Sequence, residues 1–274
     1  MRHRPRRPLH RRLPTKLRDS SLKLAAWNVN SLKVRLPQLL DWLVREQPDA
    51  VCLQETKVED HNFPLQDIER SGYQAVFSGQ KTYNGVAILA RNLPLAVDHG
   101  IGGFVDAQKR VISATVNAVR LVCAYVPNGQ SLDSDKYRYK LDWLKAFSTW
   151  LEGESKKHTR IAVLGDFNIA PEDRDVHDPK AWEGQVLCSP AERAAFQALI
   201  GIGFKDSFRL FDQPERSFSW WDYRMNAFQR KIGLRIDHIL LSDGLAQDCK
   251  SSRIDVDMRR NERPSDHAPV IAEF

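Results

Sequence analysis

Cysteine is scarce in this sequence, and the four residues present, Cys52, Cys123, Cys188 and Cys249, include no Cys-X-X-Cys pair. This pattern favours free thiols in a reducing compartment over a disulfide framework. No apolar run approaches the roughly 20 residues that a membrane span requires, so no membrane is expected as a partner. The chain also lacks a Gly-X-Ser-X-Gly elbow, a Walker A loop and a glycine-rich dinucleotide fingerprint, and these absences argue against three large enzyme classes.

Positive charge is concentrated at the start of the chain. The protein has 274 residues and a formal net charge of +6, but residues 1–20 alone hold eight basic residues and one acidic residue. The remainder is therefore almost neutral, and any phosphate-binding surface on it must come from local arrangement. We expect residues 1–20 to be a disordered basic tail. Two interpretations of it stay open: a solvated tail (or a start codon placed too far upstream), and an arm that raises nonspecific DNA affinity.

Short apolar runs alternate with amphipathic segments from Leu22 onward, and 42% of the chain is hydrophobic, which is enough for a full core. Helical spacing predicts helices over 35–47 and 135–151, and Ser189 followed by Pro190 predicts the start of a third helix. The predicted strands cover 22–29, 50–56, 73–79, 85–91, 111–116, 119–127, 161–168, 218–223, 234–242, 252–257 and 267–274. No linker divides residues 21–274, so we expect one domain with helix-covered sheets.

Polar side chains recur where these predicted strands end. One such residue is usually a turn or a helix cap, but sheets bring strand ends together, and a cleft there is where sites form. Asp237 is the hardest to dismiss, because it lies in an apolar run where an unpaired carboxylate is costly, and a histidine is a natural partner. The polar strand-end residues are Asn28, Asn30, Glu55, Tyr125, Asn128, Asp166, Asn168, Asp237, Asp266 and His267.

Carboxylate and amide oxygens without a cysteine–histidine cluster favour a hard cation such as Mg²⁺. Hydrolysis of a phosphodiester by water needs a metal on the nonbridging oxygens, a base, donors for the developing charge and help for the leaving oxygen. This set of side chains can supply all four functions.

Eight segments in order resemble the exodeoxyribonuclease III group of abasic-site endonucleases, within the endonuclease/exonuclease/phosphatase superfamily. They are LAAWNVNSLKVR, VCLQETK, GVAILAR, AYVPNG, LGDFNIAP, FSWWDYR, LRIDHILLS and SDHAPV. The resemblance covers about 22–274. It implies a DNase I-like four-layer α/β sandwich with two packed mixed sheets, and a catalytic domain over 21–274. It also implies a cytoplasmic, nucleoid-associated monomer that is a Mg²⁺-dependent nuclease, with Mn²⁺ as a substitute.

The resemblance further implies the activities: cleavage 5′ to abasic sites, 3′→5′ exonuclease activity on duplex DNA and cleaning of damaged or recessed 3′ ends. It assigns roles to residues one position at a time. The implied catalytic residues are Tyr125, Asp166, Asn168, Asp237 and His267. The implied metal-site residues are Asn28, Glu55, Asp166, Asn168, Asp266 and His267, with Lys57 and Arg110 as cationic helpers. The implied substrate-binding residues are Asn30, Asn128, Trp220, Leu234 and Ile236, the last three forming an apolar pocket for an extrahelical abasic sugar.

One departure from the family pattern follows the first strand. The family commonly has Asn-Gly-Leu-Arg where this chain has Asn30-Ser31-Leu32-Lys33. Loss of the glycine is expected to alter the φ requirement of the turn, and lysine replaces a forked arginine donor. We expect changed contacts with the DNA backbone and retained chemistry. The loop over 172–188 is expected to influence the balance between the activities.

Two other classes of function remain open. A phosphatase or phosphodiesterase of the same fold that acts on a non-DNA phosphate ester would keep Glu55, Asp166 and His267 but has no need of the Trp220 pocket. A noncatalytic DNA-binding descendant should have lost at least one of the catalytic residues, and none is lost here.

Overall fold

The computed structural model describes residues 21–274, and the predicted tail over 1–20 lies outside the described residues. Two mixed six-stranded β-sheets pack face to face, and helices cover their outer faces. The strands are β1 Lys23–Asn28, β2 Ala50–Gln54, β3 Gln74–Ser78, β4 Val86–Ala90, β5 Leu95–His99, β6 Val111–Val116, β7 Val119–Tyr125, β8 Ile161–Asp166, β9 Phe204–Asp206, β10 Asp237–Ser242, β11 Ser251–Ile254 and β12 Val270–Glu273. The helices are α1 Leu32–Glu46, α2 Leu65–Arg70, α3 Asp135–Lys157, α4 Pro179–Trp182, α5 Pro190–Gly201 and α6 Asp243–Asp248.

The strand order places the ends of the central strands side by side. The first sheet runs β11-β12-β1-β2-β4-β3 and the second runs β5-β6-β7-β8-β10-β9. Only β1–β2 and β7–β8 are parallel pairs among these strands, and the other neighbours are antiparallel. In the second sheet the register puts Asp166 opposite both Tyr125 and Asp237. One edge of the sandwich therefore collects polar residues from both sheets.

Three apolar clusters account for the layers. Between the sheets, Cys52 and Ile88 of the first sheet pack with Leu121 and Leu164 of the second. Trp42 of α1 belongs to a cluster on the outer face of the first sheet. On the outer face of the second sheet, the cluster contains the α3 side chains Trp143 and Phe147 and the α5 side chains Phe196 and Leu199. The predicted four-layer α/β sandwich is confirmed.

The predicted helix starts and ends differ from the structure where tertiary contacts decide. Helix α1 begins at Leu32, three residues before the predicted start, because the Leu32 N–H donates to the Thr56 carbonyl across the sheet edge (3.0 Å). Helix α3 continues to Lys157 on the face that covers the second sheet. The N-terminus of α5 follows the prediction, since Ser189 and Glu192 form a reciprocal capping box.

Several strand predictions need correction. The stretch 218–223 is wrong as a strand: it is a loop in which Trp220 makes isolated bridges with Leu234 and His267. The strand predicted from 234 begins at Asp237. Strands β5 and β9 were not anticipated, because β5 is largely exposed and β9 has only three residues. Cys52, Cys123, Cys188 and Cys249 are free. Within 21–274, no helix combines the length and apolarity needed to cross a bilayer.

Candidate active site

Strand polarity brings the site residues together at one edge of the sandwich. Asn28, Tyr125 and Asp166 end β1, β7 and β8, and Glu55 directly follows β2. Because β10 runs antiparallel to β8, its first residue, Asp237, arrives at the same edge. The segment before β12 contributes His267 in the same way, since β12 is antiparallel to β1. The topology thus converts dispersed sequence positions into one cluster.

The centre of this edge is a compact group of three ionisable side chains. Ligand atoms of Glu55, Asp166 and His267 all lie within 4.8 Å of one another. Asn28 links the two carboxylates, since its Nδ2 donates to Glu55 Oε1 (2.8 Å) and to Asp166 Oδ2 (2.9 Å). The Asn28 oxygen accepts from the Asn30 N–H (3.0 Å), so the nitrogen of this amide faces the acids.

Burial and charge give the two carboxylates different pKa values. Burial raises the pKa of Asp166 to about 7; the charge on His267 opposes this shift, and the charge on Asp237 adds to it. Burial also acts to raise the pKa of Glu55, but the Lys57 ammonium 2.9 Å from its Oε2 and the hydrogen bond from Asn28 hold that pKa below its usual value. Glu55 is therefore ionised at neutral pH, and Asp166 is poised to exchange a proton.

His267 is held by a carboxylate from the neighbouring sheet. Its Nδ1 lies 2.9 Å from Asp237 Oδ2, and its Nε2 lies 3.8 Å from Asp166 Oδ2. Burial lowers the pKa of His267, but the charges on Asp237 and Asp166 outweigh burial and raise this pKa to about 10. Ser219 Oγ donates to Asp237 Oδ2 (2.7 Å), which fixes the orientation of that carboxylate. The imidazole is thus positively charged at neutral pH.

Tyr125 contacts the same carboxylate as Asn28. Its hydroxyl donates to Glu55 Oε1 (2.9 Å), and the Arg110 guanidinium lies 4.7 Å from the centre of its ring. Burial, together with the charges on Glu55 and Asp166, raises the pKa of the phenol well above its usual value. Tyr125 is consequently a neutral hydrogen-bond donor.

Two asparagines flank Asp166 on the other side. The Asn168 N–H donates to Asp166 Oδ1 (2.9 Å), and Asn128 Nδ2 donates to Asn168 Oδ1 (3.1 Å). Asn168 adopts φ +48°, a left-handed conformation that asparagine tolerates better than most residues. Asn128 is exposed whereas Asn168 is buried, so the pair runs from the carboxylate out to the solvent.

Asp266 lies beside the three-residue cluster and not within it. Its Oδ1 accepts from Asn30 Nδ2 (2.9 Å) and its Oδ2 accepts from Trp220 Nε1 (3.0 Å). Asn30 Oδ1 in turn accepts from Lys57 Nζ (2.5 Å). Through these contacts, the predicted substrate-binding residue Asn30 and the indole of Trp220 lie next to the cluster of Glu55, Asp166 and His267.

The three predicted pocket residues occur together but differ in exposure. Trp220 is partly exposed and packs against a small cluster that contains Leu234 and Ile236, which are 0% and 2% exposed. Val176, from the loop over 172–188, belongs to the same cluster and bridges Leu234. Trp220 presents the accessible face here, and the two aliphatic residues support it from below.

The turn after β1 has Ser31 where the family commonly has glycine. Ser31 adopts φ +89°, a left-handed backbone conformation that usually favours glycine. Lys33 is exposed. Arg35, which sequence reasoning missed, supplies forked donors instead: it donates to the Asn30 carbonyl (2.8 Å), to the Tyr223 hydroxyl (2.8 Å) and to the Pro264 carbonyl (2.9 Å).

Two sheets that converge on paired carboxylates and an aspartate-held imidazolium define a hydrolase of phosphate esters. The chain belongs to the Endonuclease/Exonuclease/phosphatase family, whose pattern matches residues 25–267. The family comprises metal-dependent nucleases, and the Glu55, Asp166 and His267 cluster is the candidate metal centre among the described residues.

Its relatives are nucleases of the exodeoxyribonuclease III and AP endonuclease type, and this chain is an enzyme of that group. It is 38% identical to exodeoxyribonuclease III of Haemophilus influenzae, over 92% of this chain and 100% of the relative. The 3′ phosphatase NExo from Neisseria, solved with a product DNA hairpin, superposes with a TM-score of 0.91 at 46% identity, covering 92% of this chain and 99% of that one. An AP endonuclease from Archaeoglobus fulgidus superposes at 0.89 with 38% identity, covering 92% and 98%.

Proposed function

We propose that this protein is a Mg²⁺-dependent DNA-repair phosphodiesterase that cleaves 5′ to abasic sites, degrades duplex DNA from 3′ ends and removes 3′ phosphates. The observation that carries the proposal is the cluster of Glu55, Asp166 and His267, whose ligand atoms lie within 4.8 Å of one another. A buried carboxylate beside an imidazolium offers the base and the charge stabilisation that general-base hydrolysis of an anionic ester uses.

The donor set at the cluster fits a divalent cation. Glu55 and Asp166 offer hard oxygen ligands of the kind Mg²⁺ prefers, and Mn²⁺ accepts the same set. The Glu55 and Asp237 charges also raise the pKa of buried Asp166, a repulsion that a bound cation would relieve. We assign Glu55 and Asp166 as ligands; protonated His267 is then a hydrogen-bond donor, and Asn28 orients both acids. When bound, Mg²⁺ supplies charge neutralisation at nonbridging phosphate oxygens.

The protein's own residues divide the proton chemistry between them. Asp166 accepts the proton of the attacking water, because it is the carboxylate of the cluster that lacks a lysine or arginine partner among the described residues, and burial raises its pKa. His267 donates from Nε2 to a phosphate oxygen, while Asp237 holds its Nδ1 (2.9 Å). Tyr125, a neutral donor, assists the phosphate or leaving oxygen, and Asn168 keeps Asp166 oriented through its N–H (2.9 Å).

The surroundings of the cluster support DNA as the substrate. Trp220 offers an aromatic face directly beside Asp266, at which a base-free deoxyribose can pack once it leaves the helix. Asn30, which is partly exposed, and Asn128, which is exposed, offer side-chain amides for contacts with the DNA backbone. The relatives named an AP endonuclease and a 3′ phosphatase bound to product DNA support the same substrate class. We further propose that the protein acts as a cytoplasmic monomer.

An end-labelled duplex assay tests this proposal. One oligonucleotide carries an abasic site, a second has a recessed 3′ end and a third has a 3′ phosphate, each incubated with Mg²⁺, Mn²⁺ or EDTA. We expect cleavage with either metal and none in the chelator. Full activity in EDTA contradicts the metal assignment. Turnover of a small phosphate ester with no cleavage of any DNA favours the alternative, a phosphatase acting on a non-DNA substrate.

A further inference from the structure

A fully buried ion pair lies directly beneath the proposed active site. Lys140 of α3 and Glu192 of α5 are both 0% exposed, and Lys140 Nζ lies 2.5 Å from Glu192 Oε1. Burying two charges is costly, and an ion pair of this kind is often no more stabilising than apolar residues of the same size. Stability alone therefore gives little reason for this pair.

The Lys140 ammonium also donates hydrogen bonds to the two active-site loops. Its Nζ donates to the backbone carbonyl of Asn168 (2.7 Å) and to that of Asn128 (3.1 Å). These are the loops whose asparagine side chains contact each other above Asp166. Charge-assisted hydrogen bonds from a buried ammonium are strong, so they hold Asn168 in its left-handed conformation.

Glu192 fixes the other side of the network. Its Oε1 also accepts from the Leu187 N–H (3.0 Å), and its Oε2 accepts from the N–H (3.0 Å) and hydroxyl (2.7 Å) of Ser189. The Leu187 carbonyl accepts from the Ala170 N–H (2.9 Å), two residues beyond Asn168. The carboxylate thus joins the end of the loop over 172–188 to the segment that carries Asn168.

We propose that the Lys140–Glu192 pair is a positioning device, which sets Asn128 and Asn168 at the reaction centre and links the 172–188 loop to them. The inference rests on the proposed function, because it takes Asn168 to serve Asp166. Neither side chain can reach the substrate, since both are fully buried. Lys140 and Glu192 are therefore positioning residues and not catalytic residues.

Three variants test the pair, so that the test still works if one of them fails to fold. Lys140→Met removes the two loop contacts, Glu192→Gln removes the charge while keeping the shape, and the double variant Lys140→Met/Glu192→Met leaves no uncompensated buried charge. We expect kcat on abasic duplex to fall about 10- to 100-fold in each, because small displacements in a site are costly. KM should change little. Amide hydrogen exchange should rise in segments 126–130 and 166–172.

Glu154→Gln is the matched control. Glu154 Oε2 lies 3.5 Å from Arg120 Nε in a second buried pair, and Arg120 sits near the start of β7, at the opposite end of the strand from Tyr125. This variant should lose stability without losing kcat and without loosening either loop segment.

The proposal is overturned if the folded Lys140→Met and double variants keep kcat within about twofold of wild type. It is equally overturned if their losses only track the fall in Tm seen for Glu154→Gln. The hydrogen-exchange measurement needs no substrate, so it tests the positioning role separately from the proposed function. Wild-type protein that cleaves none of the DNA substrates contradicts the proposed function, whereas raised exchange at both segments still supports the positioning role.

Discussion

Replacing Asp237 with asparagine should remove the charge that keeps His267 protonated. Burial lowers the pKa of His267, and the charge on Asp237 is the largest effect that raises it. The resulting pKa is about 10. The difference from an ordinary value of about 6.5 corresponds to roughly 5 kcal/mol of preference for the charged ring. Asparagine can still bond to the ring nitrogen, but it contributes no charge. The pKa of His267 should consequently fall in this variant.

The dependence of kcat on pH is the assay for this change. In wild-type protein with Mg²⁺, kcat should rise as Asp166 loses its proton, at a pH below about 7 because the bound cation lowers its pKa, and should decline as His267 loses its own near about 10. In Asp237→Asn the alkaline decline should move to lower pH. Maximal kcat should fall about 10²-fold, the scale seen when one donor to a developing charge is lost.

Ser219→Ala is the control for this experiment. It removes the 2.7 Å hydrogen bond to Asp237 but leaves the carboxylate charged. Its alkaline decline should therefore stay near that of the wild type. If Asp237→Asn also keeps its alkaline decline near pH 10, then Asp237 does not set the charge of His267 and our assignment of the imidazolium fails.

Three further predictions concern single side chains. Asp166→Asn should lower kcat about 10³-fold with DNA affinity retained, measured by single-turnover cleavage and anisotropy; a near-normal rate contradicts its role as the base. Trp220→Ala should reduce cleavage at abasic sites about tenfold more than removal of a 3′ phosphate, in parallel kinetics; equal losses contradict the pocket. Burial lowers the pKa of His238 to about 4, so stability should fall as the pH drops below about 6.5. His238→Gln should lack this component, worth roughly 2 to 3 kcal/mol between pH ~7.5 and ~4.5 in urea titrations; a pH dependence equal to that of the wild type contradicts the prediction.

Sequence reasoning located the site residues because they are polar groups at strand ends, a property that is visible without coordinates. It singled out Asp237 for the further reason that a carboxylate in an apolar run needs a partner, for which a histidine is a natural candidate, and the structure puts His267 Nδ1 2.9 Å away. The metal and catalytic roles of these residues stay predictions until the variants are measured.

The features that could not be predicted from the sequence depend on side-chain orientation and on contacts between segments distant in the chain. Only coordinates reveal that the Asn28 nitrogen faces the acids, because either end of an amide can do so. Lys140 looks like any helix-surface lysine among its neighbours, and Arg35 acts across three loops that meet only in the fold. The stretch 218–223, predicted as a strand, is a loop that carries Trp220.

Burial by itself favours the neutral form of every ionisable group in this site. The groups that stay charged do so because each has a charged partner, and the group without such a partner is the base. His267 keeps its charge because Asp237 is its partner, and Glu55 keeps its charge because Lys57 is 2.9 Å away. Asp166 has no lysine or arginine partner of its own among the described residues, and the nearest cation, His267, is 3.8 Å distant. Of the three clustered groups, Asp166 is therefore the one that can both lose and regain a proton at neutral pH.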